Sequence, residues 1–362
     1  MRLSQLELRD FRNYIREVVE PGPGMNIFSG DNGQGKSNLL EAAAWLAVGR
    51  SPRRAREADA VRHGADGFLV RAVGQGRAGS MVREMSFRIE GGRRLTQDGK
   101  CLRQVKDLLG VMRVVHFSPD DLFLVGGGPE RRRRFLDLMI AQVSAGYVGA
   151  LTSYHRFLLQ RNALLKEMRQ HRRPMSVMAA LEEGMAREGA KVTAERARVV
   201  EVAGKLAETA YRQISEGREK LEIHYAPNAA DEEALRVGLE RRRGEELARG
   251  TSLVGPHRDE VRITLNGRPA RLYGSQGQMR SVALSLRLAE RRWMCERTGG
   301  DPVMLLDDLS SELDPGRRGG ILRLLAGTAQ VFLTCTDRGE LPGELGEAQY
   351  FRVEEGRVRR ER

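Results

Sequence analysis

Cysteine is scarce in this chain: Cys101, Cys295 and Cys335 are its only three among 362 residues. Their wide spacing forms no CxxC pair, which excludes a cysteine zinc site and suits a reducing compartment. No apolar run nears the roughly 20 residues that span a bilayer; the longest lies at residues 42–48. The first residues, Met1-Arg2-Leu3-Ser4-Gln5-Leu6, hold no signal-peptide core. The expected location is therefore the cytoplasm, with no membrane partner. Aromatic residues make up only 5%, which disfavours a surface that reads single strands by base stacking. There is neither an internal repeat nor a low-complexity linker.

Acidic residues are outnumbered by basic ones, 49 to 61, leaving a net charge of +12. Such a field attracts polyanions, whether DNA, RNA or an anionic membrane surface. With few aromatics, contact to a duplex backbone fits best, although charge alone reports attraction and not specificity. Arg241–Arg243 and the basic tail at 357–362 are expected to be solvated surface. A hydrophobic content of 40% over this length supports a full core and about two domains.

Three textures follow one another. Residues 1–117 are strand-rich: Leu6 and Leu8 alternate with polar neighbours, Met25-Asn26-Ile27-Phe28 is a short apolar run, and Met85, Phe87 and Ile89 alternate again. From about 130 to 249 the pattern is helical, with Val192, Val199, Val202, Leu206 and Ile214 as candidates for a buried face. One helix, near 178–214, would be on the order of 50 Å long. Strand signals return at Val261, Ile263 and Leu265 before an Asn266-Gly267 hairpin turn, then at 303–306, 331–333 and 351–353. The expected organisation is one α/β domain built from residues 1–117 and 250–362, with a mainly helical domain, 118–249, inserted between them. The insert is too short for a very long coiled coil and forms only a compact arm.

Ser29-Gly30-Asp31-Asn32-Gly33-Gln34-Gly35-Lys36-Ser37 contains GxxxxGK[ST], placed between an apolar strand and a helix that begins around Asn38. The glycines let backbone N–H groups face phosphate oxygens, and the helix N-terminus adds partial positive charge. Lys36 would hold the β- and γ-phosphates of ATP, and the Ser37 hydroxyl would ligate Mg²⁺. A second part is Val303-Met304-Leu305-Leu306-Asp307-Asp308, in which two acids leave the end of a buried strand. Asp307 is the expected Mg²⁺ ligand, and Asp308 the expected general base. The third part, Ser275-Gln276-Gly277-Gln278, precedes a helix and is similar to the end of the LSGGQ signature of ABC ATPases, where it meets the ATP held by a second subunit. After the acids, Ser310-Ser311-Glu312-Leu313-Asp314 is similar to the D-loop of that class, with Asp314 as its acid. The fold class implied is an ABC-type ATPase head formed from both ends of the chain.

Taken together, Asp10-Phe11-Arg12-Asn13-Tyr14, the phosphate loop with Asn38-Leu39-Leu40-Glu41, Phe117-Ser118-Pro119-Asp120-Asp121-Leu122, Gly127-Gly128-Pro129, Arg132-Arg133, Phe135-Leu136-Asp137 and Gly255-Pro256-His257-Arg258-Asp259 resemble the RecF family. The resemblance runs from residue 10 to residue 314. It implies ATP-driven homodimerisation, binding of double-stranded or junction DNA, and action with RecR and RecO in RecA loading at gaps after DNA damage. Two features depart from the wider ABC pattern. Asp308 is one methylene shorter than the glutamate of many ABC ATPases, which implies slow hydrolysis. No switch histidine follows Val331-Phe332-Leu333; Thr334 or Thr336 stands in its place. Gln104 is a weak candidate for the Q-loop glutamine.

Other residues have plainer readings. Arg131–Arg134 start a helix, so they point in different directions; some can meet DNA phosphates while at least one pairs with an acid. His257 is expected to shape a turn. Phe11, Arg12 and Asn13 are placed to border the adenine or the phosphates. No residue is assigned to DNA contact from sequence. The alternative to a repair ATPase is the nucleotide-binding subunit of a membrane transporter, and a third reading is a DNA structural protein that binds ATP without turnover.

Overall fold

The computed structural model describes residues 1–76, 79–170, 175–309, 315–325, 327–340 and 348–361. A parallel sheet positions everything else. Its strands run in the spatial order Arg357–Glu361, Ala348–Glu354, Gly24–Ser29, Gln330–Cys335, Val303–Leu306 and Val114–Phe117. All neighbours are parallel except the outermost hairpin of Ala348–Glu354 with Arg357–Glu361. Val303–Leu306 and Gln330–Cys335 are buried along their whole lengths, as strands covered on both faces must be. The pleat divides these continuous runs between two cores. Ile27, Met304, Leu306, Val331 and Leu333 enter one; Phe28, Val303, Leu305 and Phe332 enter the other.

The second of those cores holds the helix Lys36–Val48, packed between the parallel sheet and a six-stranded antiparallel sheet. That sheet runs Tyr14–Val19, Arg2–Phe11, Gly67–Gly76, Gly79–Arg88, Gly92–Gln97, Lys100–Cys101. A helix covered on both sides needs apolar residues all round. The run Ala42-Ala43-Ala44-Trp45-Leu46-Ala47 is accordingly buried throughout. The longest apolar stretch of the chain thus belongs to a helix between two sheets. Among the described residues no helix is long and apolar enough to cross a membrane.

The first core is closed by the helices Gln276–Thr298 and Met175–Ile214. The latter has 40 residues, about 60 Å at 1.5 Å each, and begins before the expected Met178. Val192, Val199 and Ile214 are buried and Leu206 partly so, but Val202 is 43% exposed. Steps of three and four residues from Val199 reach Ala203, Ala207, Ala210 and Ile214, all buried; Val202 stands one position off that stripe. The middle of the chain also carries a strand, Leu221–Ala226, paired antiparallel with Glu260–Leu265. The latter turns through Asn266 (φ +50°) and Gly267 (φ +76°) into Arg268–Pro269, the two-residue hairpin expected of Asn-Gly. The architecture is α/β, and the parallel sheet draws strands from both the first third of the chain, Gly24–Ser29 and Val114–Phe117, and its last, from Val303 onward.

The turn Gly255-Pro256-His257-Arg258-Asp259 is a buried polar hub. Asp259 is fully buried and accepts from Arg196 (3.2 Å), the Tyr225 hydroxyl and the Asn228 amide (2.8 Å). The Tyr154 hydroxyl meets His257 Nδ1 at 2.5 Å, and Nε2 faces the Ser252 carbonyl at 3.1 Å. A neutral imidazole satisfies both contacts, with Nε2 donating and Nδ1 accepting. Burial pushes the His257 pKa down to about 4. The unfolded chain therefore takes up a proton that the folded chain refuses between the ordinary histidine value and that one. Stability from this group is complete above about pH 6.5 and lost as pH falls toward 4, on the order of 3 kcal/mol. Thermal melting should drop over that window, and His257→Gln should flatten the drop; an identical pH profile in the variant contradicts this assignment.

Candidate nucleotide site

The phosphate loop closes on itself through its own lysine. Lys36 Nζ donates to the Gly30 carbonyl and, at 2.8 Å, to that of Asp31. Burial lowers the pKa of its ammonium, against the opposing pull of Cys335, Asp307, Asp308 and Asp31. Two glycines are required by space as well as by backbone angle. A Cβ at Gly30 (φ +152°) would stand 2.3 Å from the Val353 carbonyl oxygen, and one at Gly35 (φ +118°) 2.8 Å from the Asn13 amide. Asn13 also donates to the Gln34 carbonyl (2.8 Å), Tyr14 donates to that of Gly35 (3.0 Å), and Asn38 donates to Asn13 (2.9 Å).

The segment at Phe11-Arg12-Asn13 therefore braces the loop from behind, and none of the three lines the cavity in front of it. Phe11 is fully buried against Trp45 and Phe68, and Arg12 grips the buried Glu41 through two bonds of 2.9 and 3.1 Å. A cavity of about 520 Å³ opens in front of the loop, lined by Asn32, Gly33, Gly35, Lys36, Ser37 and Asn38. Gly30, Asp31 and Gln34 are not among the lining residues. Gln34 turns instead toward the Glu355 and Gly356 amides, accepting from both.

The second strand delivers its acids to the same space. Asp307 and Asp308 line the cavity, and Ser37 Oγ donates to Asp307 Oδ1 at 2.8 Å. The serine and the aspartate are 270 residues apart in sequence, so the sheet order brings them together. Two hard oxygens side by side, facing a phosphate-sized space, suit Mg²⁺, which takes one or two protein ligands beside phosphates and water. Among the described residues no group of three or more His, Cys, Asp or Glu could hold a metal alone. Asp308 sits at φ +54°, a region that aspartate tolerates better than most side chains. Its amide donates to Thr334 Oγ1 (2.8 Å), and its carbonyl accepts from the buried Arg280 (3.2 Å). Thr334 Oγ1 in turn donates to Asp307 Oδ1 (2.8 Å). Its proton is committed there, so it is no free donor to a phosphate; Thr336, also lining the cavity, keeps that possibility.

Two further contributors escape a reading of the sequence. Arg53 lines the cavity 3.6 Å from Asp307 Oδ2 and also reaches Asn38 (3.1 Å) and Glu41 (3.6 Å). Ser118, Pro119 and Asp120 form the wall beyond strand Val114–Phe117. Gln104 lines none of it; its amide donates to Asp107 nearby.

The signature residues lie elsewhere. None of Ser275, Gln276, Gly277 and Gln278 lines the cavity of its own chain. Ser275 and Gln276 are exposed, and Ser275 caps helix Gln276–Thr298, accepting from the Gln278 amide (3.2 Å). The Gln278 side chain is engaged within the chain: it accepts from the Ser275 backbone amide (2.7 Å) and donates to Glu219 (2.7 Å). Arg317 ties the same helix start down, donating to Ser281 (2.9 Å) and to the Gly277 carbonyl (3.3 Å). Asp314 lies outside the described residues.

The family pattern described as the RecF/RecN/SMC N terminal domain matches residues 2–350. The DNA replication and repair protein RecF of Symbiobacterium thermophilum is 42% identical, over 99% of this chain and 98% of that one. A solved structure of the recombination mediator protein RecF with ATP, in the RecFOR pathway, superposes with a TM-score of 0.91 at 32% identity, covering 99% and 97% of the two chains. An SMC head bound to the C-terminal winged-helix domain of ScpA shares the fold alone, with a TM-score of 0.61 at 15% identity over 100% and 98% of the chains.

Proposed function

Because the chain belongs to the RecF family of SMC-type ATPases, we propose that it is a cytoplasmic, ATP-dependent DNA-binding protein of recombinational repair and replication-gap processing. ATP sits in the cavity at residues 30–38. Two copies face each other, and each brings its signature residues, Ser275, Gln276, Gly277 and Gln278, to the phosphates held by its partner. Closure of the dimer gathers basic surface for double-stranded or junction DNA. Slow hydrolysis, with Asp308 as the base that orients and deprotonates water, reopens it. Ser37 and Asp307 would hold Mg²⁺ with ATP, and the ion would neutralise phosphate charge. Asp314 serves in the D-loop at the same interface. RecR and RecO are the partner proteins, and RecA loading is the outcome. The domain division at 117/118 and 249/250 belongs to the same reading, with the ATPase part made from both ends.

One observation carries it. The cavity holds the loop, the lysine and both acids, while the exposed Ser275 and Gln276 lie outside it. This separation supports a site completed by a second copy. The test is affinity for duplex and gapped duplex with ATP, with ADP and without nucleotide, together with turnover in the presence and absence of DNA. ATP should tighten DNA binding by at least about tenfold, and DNA should raise turnover. DNA affinity indifferent to nucleotide contradicts the proposal, and ATP-tightened binding without any turnover leaves only a structural protein.

A further inference from the structure

Beside the nucleotide cavity lies a smaller one of about 120 Å³, and four arginines converge on it: Arg50, Arg54, Arg131 and Arg134. Arg50 and Arg54, in the loop after helix Lys36–Val48, are exposed; Arg131 and Arg134, three residues apart on helix Pro129–Ala141, are half-buried. Their neighbours in sequence are already engaged. Arg132 pairs with Glu260 at 2.8 Å and donates to the Gly127 carbonyl, and Arg133 donates to the carbonyl of Asp259 (2.6 Å). The helix thus sends two arginines into the fold and two to the cavity.

Among the described residues no carboxylate lies within ion-pair distance of these four, Asp120 on the shared wall included. Arg131 rests over the Phe123 ring at 5.6 Å. At the floor, Arg287 is held by Asp121 (2.7 Å) and Glu290 (2.8 Å). The rim charges are mutually repulsive: burial first, then Arg50, Arg54 and Arg131, push the Arg134 pKa down, against the opposing pull of Glu130. The two floor acids, Asp121 and Glu290, are already paired with Arg287, so the rim arginines repel one another and an anion joining them is stabilising.

We propose that Arg50, Arg54, Arg131 and Arg134 form a phosphate-binding rim that takes the backbone of duplex DNA, a site that rests on the DNA-binding reading above. The ligand chemistry is a phosphate group presented in a row. The cavity is too small for a second nucleotide, since such pockets run from about 300 Å³ upward, yet it accommodates one phosphate while the exposed arginines reach its neighbours. Arginine's planar fork suits phosphate oxygens. Ser118 and Asp120 line both this cavity and the nucleotide cavity. A wall common to both sites gives DNA and ATP a physical route to bias one another.

The experiment uses the full chain with ATP and a labelled duplex, titrated across a series of salt concentrations. Arg50→Glu with Arg54→Glu alters only exposed side chains, so the fold stands. It should weaken duplex binding at least about tenfold and lower the salt slope by about two, while ATP affinity stays within about twofold. Arg131→Lys with Arg134→Lys keeps the charge but loses the fork, and should weaken duplex binding less than the glutamate pair while leaving the salt slope near that of the parent. Inorganic phosphate at matched ionic strength separates the two sources of the ligand. It should bind far more weakly than duplex, and its binding should weaken in the glutamate variant too. Unchanged duplex affinity and slope in the glutamate variant overturn the proposal, as does a loss confined to inorganic phosphate. Should the parent chain bind no duplex under any nucleotide, the functional reading itself fails; binding by the parent with an indifferent variant sinks only this rim.

Discussion

Replacing Asp308 by asparagine is expected to lower ATP turnover by roughly 10²–10³-fold while leaving ATP affinity within about twofold of the parent chain. The choice of asparagine matters. Residue 308 is held at φ +54°, where asparagine is as much at ease as aspartate and most side chains are not. The two bonds that fix its backbone, from its amide to Thr334 and from Arg280 to its carbonyl, survive the exchange. What is lost is the ability to accept a proton from water. A fall in kcat with an unchanged KM is the signature of a group that acts only in the transition state. Unaltered turnover would place the base on another residue and leave Asp308 a structural role in the turn.

The second large effect concerns the exposed helix start. Ser275→Arg should abolish ATP-dependent dimers while the monomer still binds ATP. Ser275 caps its helix through a reciprocal pair of bonds with Gln278, so losing the hydroxyl costs about 1 kcal/mol. The helix is secured elsewhere by fully buried residues such as Val282, Ala283 and Leu284, and the fold survives. Ser275→Asp is the informative companion. Aspartate caps as well as serine does, but it sets a negative charge where a partner's phosphate would approach. Both variants should sediment as monomers with ATP and melt close to the parent. A Ser275→Asp chain that dimerises normally would show that this helix start meets no phosphate.

Much of the site is readable from the sequence because its chemistry is local. The phosphate loop needs glycines at fixed spacing followed by lysine and serine, and four apolar residues ending in Asp307-Asp308 announce a strand that presents acids. Helical geometry likewise separates Arg132 and Arg133 from Arg131 and Arg134. What escapes depends on which strands become neighbours. Gln330–Cys335 lies between Gly24–Ser29 and Val303–Leu306, which sets Thr334 against Asp307 and spends its hydroxyl there. Val114–Phe117 lies beside Val303–Leu306, which brings Ser118 and Asp120 to the cavity, and Arg53 arrives from a loop whose path has no local signature. Phe11 looks like a ligand neighbour by position and proves to be core because its strand covers helix Lys36–Val48. The strand Leu221–Ala226 carries a legible alternation, Leu221, Ile223 and Tyr225, obscured by the long helices around it. Val202 is misplaced by a single step of the helical stripe.

The idea beneath all of this is that one copy supplies the nucleotide and the other completes its surroundings. Sedimentation of the Asp308→Asn chain, saturated with ATP that it turns over far more slowly, tests this most directly. A dimer with ATP and a monomer with ADP or no nucleotide is the predicted result. A folded, ATP-saturated chain that remains monomeric at every concentration tried contradicts it.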